Sequence, residues 1–197
     1  QHKAAITQEV FRFGQHPPID RDFQQVQRLA VQFERAAGKV VVPSHRHHGT
    51  HDDVAIVGEV RDREALPLLL TLSSGVTGYT TIHAGSARQG LTRLRFLAQL
   101  SDSSRDLPLS ALNNLVSDSV DLVVHTERGP DGPRLTGIVA VEDLVSGPEA
   151  VHFTVTDVFG RGVDGSLDWS GDVPVRAAER MAARGIDLRA LLEAAGR

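Results

Sequence analysis

Apolar residues follow two patterns along this chain, helical spacing in some segments and short unbroken runs in others. Helical spacing marks three segments, which begin near Asp62, at Ser86 and at Pro108. Unbroken runs such as 54–57 are typical of strands that are buried on both faces. The helical stripes are Leu66, Leu69, Leu70 and Leu72 in the first segment, Leu91, Leu94, Leu97 and Ala98 in the second, and Leu112, Leu115 and Val116 in the third.

The two ends of the chain carry shorter or less regular patterns. Residues 20–38 predict an amphipathic helix that Asp20 caps and Gly38 ends, followed by a short strand at 39–42. Near the other end, a turn-rich loop at 160–171 precedes two short helices around 176–184 and 188–195. The stripe of the helix predicted at 20–38 consists of Phe23, Val26, Leu29, Ala30 and Phe33.

Strands predicted at 54–57, 79–83 and 122–125 alternate with the helices, and this order is typical of an α/β fold. A turn at 129–133 joins the third of these strands to another at 135–141, and 151–158 is a further extended run. We therefore expect a mostly parallel sheet flanked by helices, with a C-terminal hairpin at one edge. The expected divisions are an N-terminal arm and helix at 1–51, a core at 52–158, and a loop with short helices at 159–197.

Composition narrows the possible partners. The chain has 21 Lys and Arg residues against 25 Asp and Glu, a formal net charge of −4, so no long-range field attracts nucleic acid or an anionic membrane. It contains no cysteine, which excludes disulfides and thiolate zinc sites. No apolar segment approaches the roughly 20 residues that cross a bilayer. We expect a cytoplasmic protein without direct nucleic-acid binding. Because it begins with Gln1 and its methionine is Met181, we expect natural sequence upstream.

Two motifs in order resemble a known family. Residues 53–61, Asp-Val-Ala-Ile-Val-Gly-Glu-Val-Arg, resemble the Walker B segment of the ATPases of type II and type IV secretion, and residues 74–88 resemble their histidine box. The likeness covers roughly residues 52–145. The tail at 181–187 is similar to the Tad-pilus and conjugal-transfer branch. The resemblance implies a RecA-like P-loop NTPase core and a hexameric motor that uses ATP and Mg²⁺.

The same comparison of motifs shows what the chain lacks. A family member carries a glycine-rich loop ending in Gly-Lys-Ser/Thr, whose amides and lysine hold the nucleotide phosphates. Gly38-Lys39 is followed by valine and does not fit, and the family's histidine box has His and Ser where Val76 and Tyr79 stand. We therefore expect a truncated core, a frame-disrupted one or a paralogue without the loop. In each case we expect no ATP hydrolysis by this chain alone.

The resemblance assigns roles to five residues. Glu59 occupies the Walker B position that orients the attacking water or a magnesium-bound water, and His83 is the histidine that senses the γ-phosphate. Gly58, Arg61 and Thr81 are implied to contact the nucleotide. From the residues alone, Glu59 could instead cap the next turn, and Arg61 could be a surface arginine.

Other polar residues allow alternative interpretations. Arg88 and Arg93 could face a neighbouring subunit or lie exposed on their helix, and Ser86 fits a helix cap better than a nucleophile. A histidine-rich loop has donor atoms suited to zinc or nickel, but its spacing fixes no geometry, so we assign no metal site. The loop's candidate ligands are His45, His47, His48, His51, Asp52 and Asp53.

Three functions remain open at this point. The first is the C-terminal portion of a secretion or pilus-assembly motor that forms a homo-oligomeric ring and contacts platform proteins at the inner face of the membrane. The second is a docking module of such a machine, without catalysis. The third is a metal-binding protein that uses the histidine-rich loop.

Overall fold

The computed structural model describes residues 4–7, 54–104, 106–130, 132–143 and 152–195. The strands are β1 (Ala4–Thr7), β2 (Val54–Val57), β3 (Thr77–Thr81), β4 (Val120–Gly129), β5 (Gly132–Val141), β6 (Val155–Arg161) and β7 (Leu167–Trp169). The helices are α1 (Ala65–Ser73), α2 (Ala87–Gln99), α3 (Leu109–Ser119), α4 (Val175–Ala182) and α5 (Leu188–Ala195). None of these helices is long and apolar enough to span a bilayer.

One sheet contains all seven described strands, in the order β2-β3-β1-β4-β5-β6-β7. The pairings β2 with β3, β3 with β1 and β1 with β4 are parallel, and the remaining three are antiparallel. The predicted α/β class and hairpin are confirmed. The expectation of a mostly parallel sheet is wrong for the described strands, since half of their pairings are antiparallel. Short connections after β4 and β6 explain this, because antiparallel strands need no crossover.

Strand β7 lies in the segment 160–171, which the sequence predicts to be a loop. Its residues pair with β6, with Leu167 opposite Arg161 and Trp169 opposite Phe159. Gly165 makes the tight reversal possible, because it adopts a φ of 82° that other residues rarely tolerate. A three-residue strand carries too little periodicity to be recognised from sequence.

Helices α1, α2 and α3 cover one face of the sheet, which we call the first face. Their stripes form a buried core together with residues from alternate positions of the strands, among them Val123, Val139 and Val141. The predicted inward residues of α2 are all buried, and Leu112 and Val116 of α3 are fully enclosed. The periodicity in the sequence therefore located this core correctly, except for Leu70 of the α1 stripe, which is 54% exposed.

Helices α4 and α5 pack on the opposite, second face, against the antiparallel strands. Ile138 and Ala140 of β5 alternate with the first-face residues and join a second core that includes Met181, Leu188 and Leu192. The sheet is thus enclosed on both faces at its antiparallel end. The predicted helices at 176–184 and 188–195 are confirmed with shifts of at most two residues.

A buried polar network attaches α4 to the rest of the fold. The Arg176 side chain, 7% exposed, donates hydrogen bonds to the carbonyl oxygens of Ser117 (2.7 Å) and Val120 (2.6 Å). The Glu142 carboxylate accepts from the backbone N–H groups of Val175 (3.0 Å) and Arg176 (2.9 Å). A carboxylate at a helix N-terminus satisfies amides that have no partner within the helix.

Strand β1 lies inside the sheet, between β3 and β4. The sequence suggests only a poorly specified strand or arm for this region. The helix predicted at 20–38, the strand at 39–42 and the histidine-rich loop lie outside the described residues. The division of the chain at residues 51 and 158 stays a prediction.

Candidate functional site

The parallel strands end at a common edge of the sheet. Thr7 of β1 is in register with both Thr81 of β3 and Val124 of β4, and Val57 of β2 is in register with Thr80. Side chains that follow these strand ends therefore meet at one edge. In open α/β sheets, ligands bind at the carboxyl ends of the strands.

Glu59 lies at this edge, two residues beyond the end of β2, and is brought together with two other residues that the sequence singled out. The Arg61 guanidinium donates a hydrogen bond to Glu59 Oε2. His83 Nε2 lies 3.3 Å from Glu59 Oε1. The carboxylate is 26% exposed, whereas the side chains of Arg61 and His83 are largely exposed. The arrangement leaves outer surfaces of Arg61 and His83 accessible to a ligand.

Thr81 and Gly58 join the ends of β3 and β2. The Thr81 hydroxyl donates to the Gly58 carbonyl oxygen at 2.5 Å, and the Val60 N–H donates to the Thr81 carbonyl at 2.8 Å. Thr81 is buried, with 8% exposure. In this structure its hydroxyl therefore fixes the separation of Glu59 and His83, and it does not face the solvent.

A strained turn directs Arg61 back toward Glu59. The next residue, Asp62, has a φ of 45°, an uncommon conformation for a residue other than glycine. The turn is closed by a hydrogen bond of 2.7 Å from the Arg61 N–H to the Glu64 carboxylate. Such conformations persist where surrounding contacts enforce them and are frequent at functional sites.

The charges around Glu59 keep its carboxyl group ionised. The hydrogen bond from Arg61 holds the pKa of Glu59 below its ordinary value, and Coulombic interactions with Arg61, His83 and Arg93 act in the same direction. Desolvation opposes this effect. Arg93 thus contributes to the field at the site, whereas Arg88 pairs with Asp157 at 2.9 Å.

We expect Arg61→Ala to raise the pKa of Glu59 toward its ordinary value, because the hydrogen bond that favours the carboxylate is lost. A pH titration of the Glu59 carboxyl carbon, followed by NMR in both proteins, would measure this change in pKa. The pKa of Glu59 is lower in the folded protein than in the unfolded chain. The ionised carboxylate therefore stabilises the fold above the unfolded pKa, and this stabilisation is lost as the pH falls through the folded pKa.

The matched control for this titration is Arg63→Ala. Arg63 is exposed and its guanidinium lies 3.9 Å from Asp102, away from Glu59. Arg63→Ala should therefore leave the pKa of Glu59 unchanged. An unchanged Glu59 pKa in Arg61→Ala would contradict the assigned cause.

A cleft of about 270 Å³ lies beside this site, between the segment that follows β3 and residues 125–128 of β4. His125, on its wall, contacts Thr136 Oγ1 through Nδ1 at 2.6 Å, while its Nε2 is buried without a hydrogen-bond partner in the described part of the chain. His125 belongs to neither sequence motif, although it ends the predicted strand 122–125. The lining residues are His83, Ala84, Gly85, His125, Thr126, Glu127 and Arg128.

Two predictions about neighbouring polar residues have different outcomes. Ser86 caps α2, since its hydroxyl accepts a hydrogen bond from the Gln89 N–H at 3.2 Å, and this prediction is confirmed. The histidine-rich loop lies outside the described residues. Within the described ranges, no group of three or more His, Asp or Glu residues is placed to hold a metal ion.

Comparison with known proteins places these motifs in a family. The family model described as "Type II/IV secretion system protein" matches residues 46–127. A probable conjugal transfer protein TrbB of Sinorhizobium fredii (strain NBRC 101917 / NGR234) is 38% identical over 96 residues, which are 48% of this chain and 28% of that protein. The conjugal transfer protein TrbB of Rhizobium radiobacter is 37% identical over 91 residues, 46% of this chain and 26% of that protein.

These alignments span about a quarter of the length of the curated relatives. Among solved structures, the VirB11 ATPase from the Brucella suis type IV secretion system, in complex with sulphate, is similar over 70% of this chain and 39% of its own, with a TM-score of 0.42 and 18% identity. The range matched by the family model includes both Glu59 and His83. Residues 46–127 therefore match the type II/IV secretion system protein family, and part of the chain is similar to conjugal transfer TrbB proteins.

Proposed function

We propose that this chain is the C-terminal portion of a motor that drives type II or type IV secretion or conjugal transfer, built on a RecA-like core. The observation that carries the proposal is the contact between Glu59 and His83, 3.3 Å apart at the ends of two neighbouring parallel strands. Each residue belongs to a different family motif, and the fold brings the two together.

The chemistry of the site suits part of a nucleotide pocket. An ionised carboxylate at a strand end is suited to orient the attacking water, or a water bound to Mg²⁺, in phosphoryl transfer. Arg61 and His83, both largely exposed, can donate to phosphate oxygens. When bound, ATP and Mg²⁺ would supply the transferable phosphoryl group and the charge that neutralises it. Gly58, Glu59, Arg61 and His83 would lie around them.

The sequence lacks the groups that hold the β and γ phosphates in this family, because it contains no Gly-Lys-Ser/Thr loop. Positioning supplies a large share of the rate enhancement in phosphoryl transfer. We therefore propose that the chain does not hydrolyse ATP alone. In this proposal the motor is a homo-oligomeric ring at the cytoplasmic face of the membrane, where it contacts platform proteins.

Calorimetric titration of the purified chain with magnesium-ATP tests whether the half-pocket binds nucleotide. We expect at most weak binding, with a Kd in the millimolar range and a binding free energy of about −4 kcal/mol, because the phosphate-holding loop is missing. Any binding that occurs should fall in Glu59→Gln and His83→Ala. The matched controls are Glu179→Gln and His152→Ala, which remove exposed groups of the same type elsewhere.

Two outcomes would change the proposal. Micromolar binding lost in both site variants, together with magnesium-dependent turnover lost in Glu59→Gln, would show that the chain holds phosphates by another route and is active alone. If the control variants weaken binding as much as the site variants do, nucleotide does not bind at Glu59 and His83. Association with an active secretion ATPase without nucleotide binding would favour the docking module.

A further inference from the structure

The Arg61 side chain contacts the Glu59 carboxylate although it lies at the surface. Its side chain is 71% exposed, and exposed ion pairs are weak because water and salt screen them and ordering the two side chains costs entropy. Charge attraction alone therefore does not explain why the guanidinium is held at Glu59. The backbone on both sides of Arg61 provides a further constraint.

The residue before Arg61 fixes the direction of this segment. Val60 is buried, with 3% exposure, and its N–H donates a hydrogen bond to the Thr81 carbonyl oxygen at 2.8 Å. Arg61 has an extended backbone, with a φ of −132° and a ψ of 142°. Successive side chains of an extended segment point to opposite sides. Arg61 therefore lies on the same side of the chain as Glu59, away from the buried side chain of Val60.

The next three residues keep Arg61 extended at the start of a helical segment. The Glu64 carboxylate accepts a hydrogen bond of 2.7 Å from the Arg61 N–H, as the third residue of a capping box does. Asp62 has a φ of 45°, which interrupts a right-handed helix. Residues two positions apart do not face each other in a helix. A helical Arg61 would therefore turn its side chain away from Glu59.

We propose that Glu64 is a positioning residue that, together with the left-handed Asp62, holds Arg61 against the Glu59 carboxylate. This role rests on the function proposed above, because Glu59 is the carboxylate of that half-pocket. A guanidinium has five N–H donors, and the contact with Glu59 Oε2 is made through Nη2. The remaining donors then lie beside the carboxylate, where they can bind phosphate oxygens.

The pKa of the Glu59 carboxyl group, measured by NMR titration, tests the role of Glu64. We expect Glu64→Ala to raise this pKa, as Arg61→Ala does, because the guanidinium is no longer held at the carboxylate. Loss of a nearby negative charge alone has the opposite sign and lowers the pKa. Glu64→Gln keeps an oxygen that can accept from the Arg61 N–H, so the pKa should stay low. The matched control Glu179→Ala removes an exposed carboxylate on α4 and should leave the pKa unchanged.

Two substitutions of Asp62 test the backbone conformation, because both remove the same charge. Glycine adopts a positive φ readily, whereas a β-branched residue rarely does. Asp62→Gly should therefore keep the low pKa of Glu59, and Asp62→Val should raise it. As a second measurement, the Arg61 amide proton should exchange with solvent several-fold faster in Glu64→Ala and in Asp62→Val than in the unmodified protein.

Neither measurement uses nucleotide, so the positioning role and the nucleotide site can fail separately. An unchanged or lower pKa of Glu59 in Glu64→Ala would overturn the positioning role, even if the chain binds ATP. Equal rises in Glu64→Ala and Glu64→Gln would assign the effect to the charge of Glu64 and would also overturn it. Equal pKa values in Asp62→Gly and Asp62→Val would exclude a contribution from the backbone of Asp62. His83 and Arg93, which also lower the pKa of Glu59, are retained in all these variants.

Discussion

Replacement of Arg176 by alanine is expected to lower the free energy of unfolding by about 1–3 kcal/mol for each of the two buried carbonyl oxygens that lose their donor. The side chain is 7% exposed and satisfies the carbonyl oxygens of Ser117 and Val120 at the junction of α3 and β4. Its loss leaves those buried carbonyls without this donor, whereas the Asp121 carboxylate is 29% exposed and keeps its bond to Arg180. Urea unfolding followed by circular dichroism would measure the change.

Arg180 on the same helix provides the matched control. It also bonds Asp121, at 2.8 Å, but its side chain is 42% exposed. Exposed ion pairs contribute only about 0–1 kcal/mol, so Arg180→Ala should change stability little. Similar losses in the two variants would mean that burial of Arg176 does not determine its contribution.

The second large effect is expected at Gly78, where alanine should lower the free energy of unfolding by about 1–3 kcal/mol through overpacking. A Cβ at this position would lie 2.7 Å from the Ala55 carbonyl oxygen and would collide with the Leu72 side chain. A backbone carbonyl group cannot move aside as a flexible side chain can. Strand β2 would therefore shift relative to β3. The change should also disturb the contact between Glu59 and His83, which follow these strands.

Gly160 is the control for this substitution. It lies in β6, and a Cβ there meets nothing within 4 Å. Gly160→Ala should therefore be close to neutral in the same unfolding experiment, and it should leave the NMR signal of the His83 ring unchanged. If Gly78→Ala is as stable as Gly160→Ala, the packing described between α1 and the strands is incorrect.

The sequence predicts best those elements whose signal is local and repeated. The stripes of α2 and α3 recur every three or four residues, and the predicted inward residues are buried or pack against the first core. Strand β2 was located without error, but the expectation that it is buried on both faces is wrong at Ile56, which is 71% exposed. The motifs also predicted that Glu59 and His83 belong to one site, since both follow parallel strands.

The features that the sequence did not predict depend on contacts between distant residues. Arg176 and Glu142 carry no local signal, because each looks like an ordinary surface charge until the fold buries both. The role of Thr81 also depends on a distant contact. Its hydroxyl donates a hydrogen bond to the carbonyl oxygen of Gly58, which follows the neighbouring strand β2. The position of His125 in the wall of the cleft also depends on the order of the strands in the sheet. Sequence periodicity does not predict that order.

The position of β1 has a consequence for how the chain folds. Ala5 pairs with Tyr79 on one side and Leu122 on the other, so this strand must wait for partners far along the chain. At synthesis rates of about 5–20 residues per second, its neighbours appear several seconds later, and long-range pairings slow folding. The parallel half of the sheet is therefore completed late, after the local helices have formed. During that interval the edges of β3 and β4 are open to chaperones and to other strands.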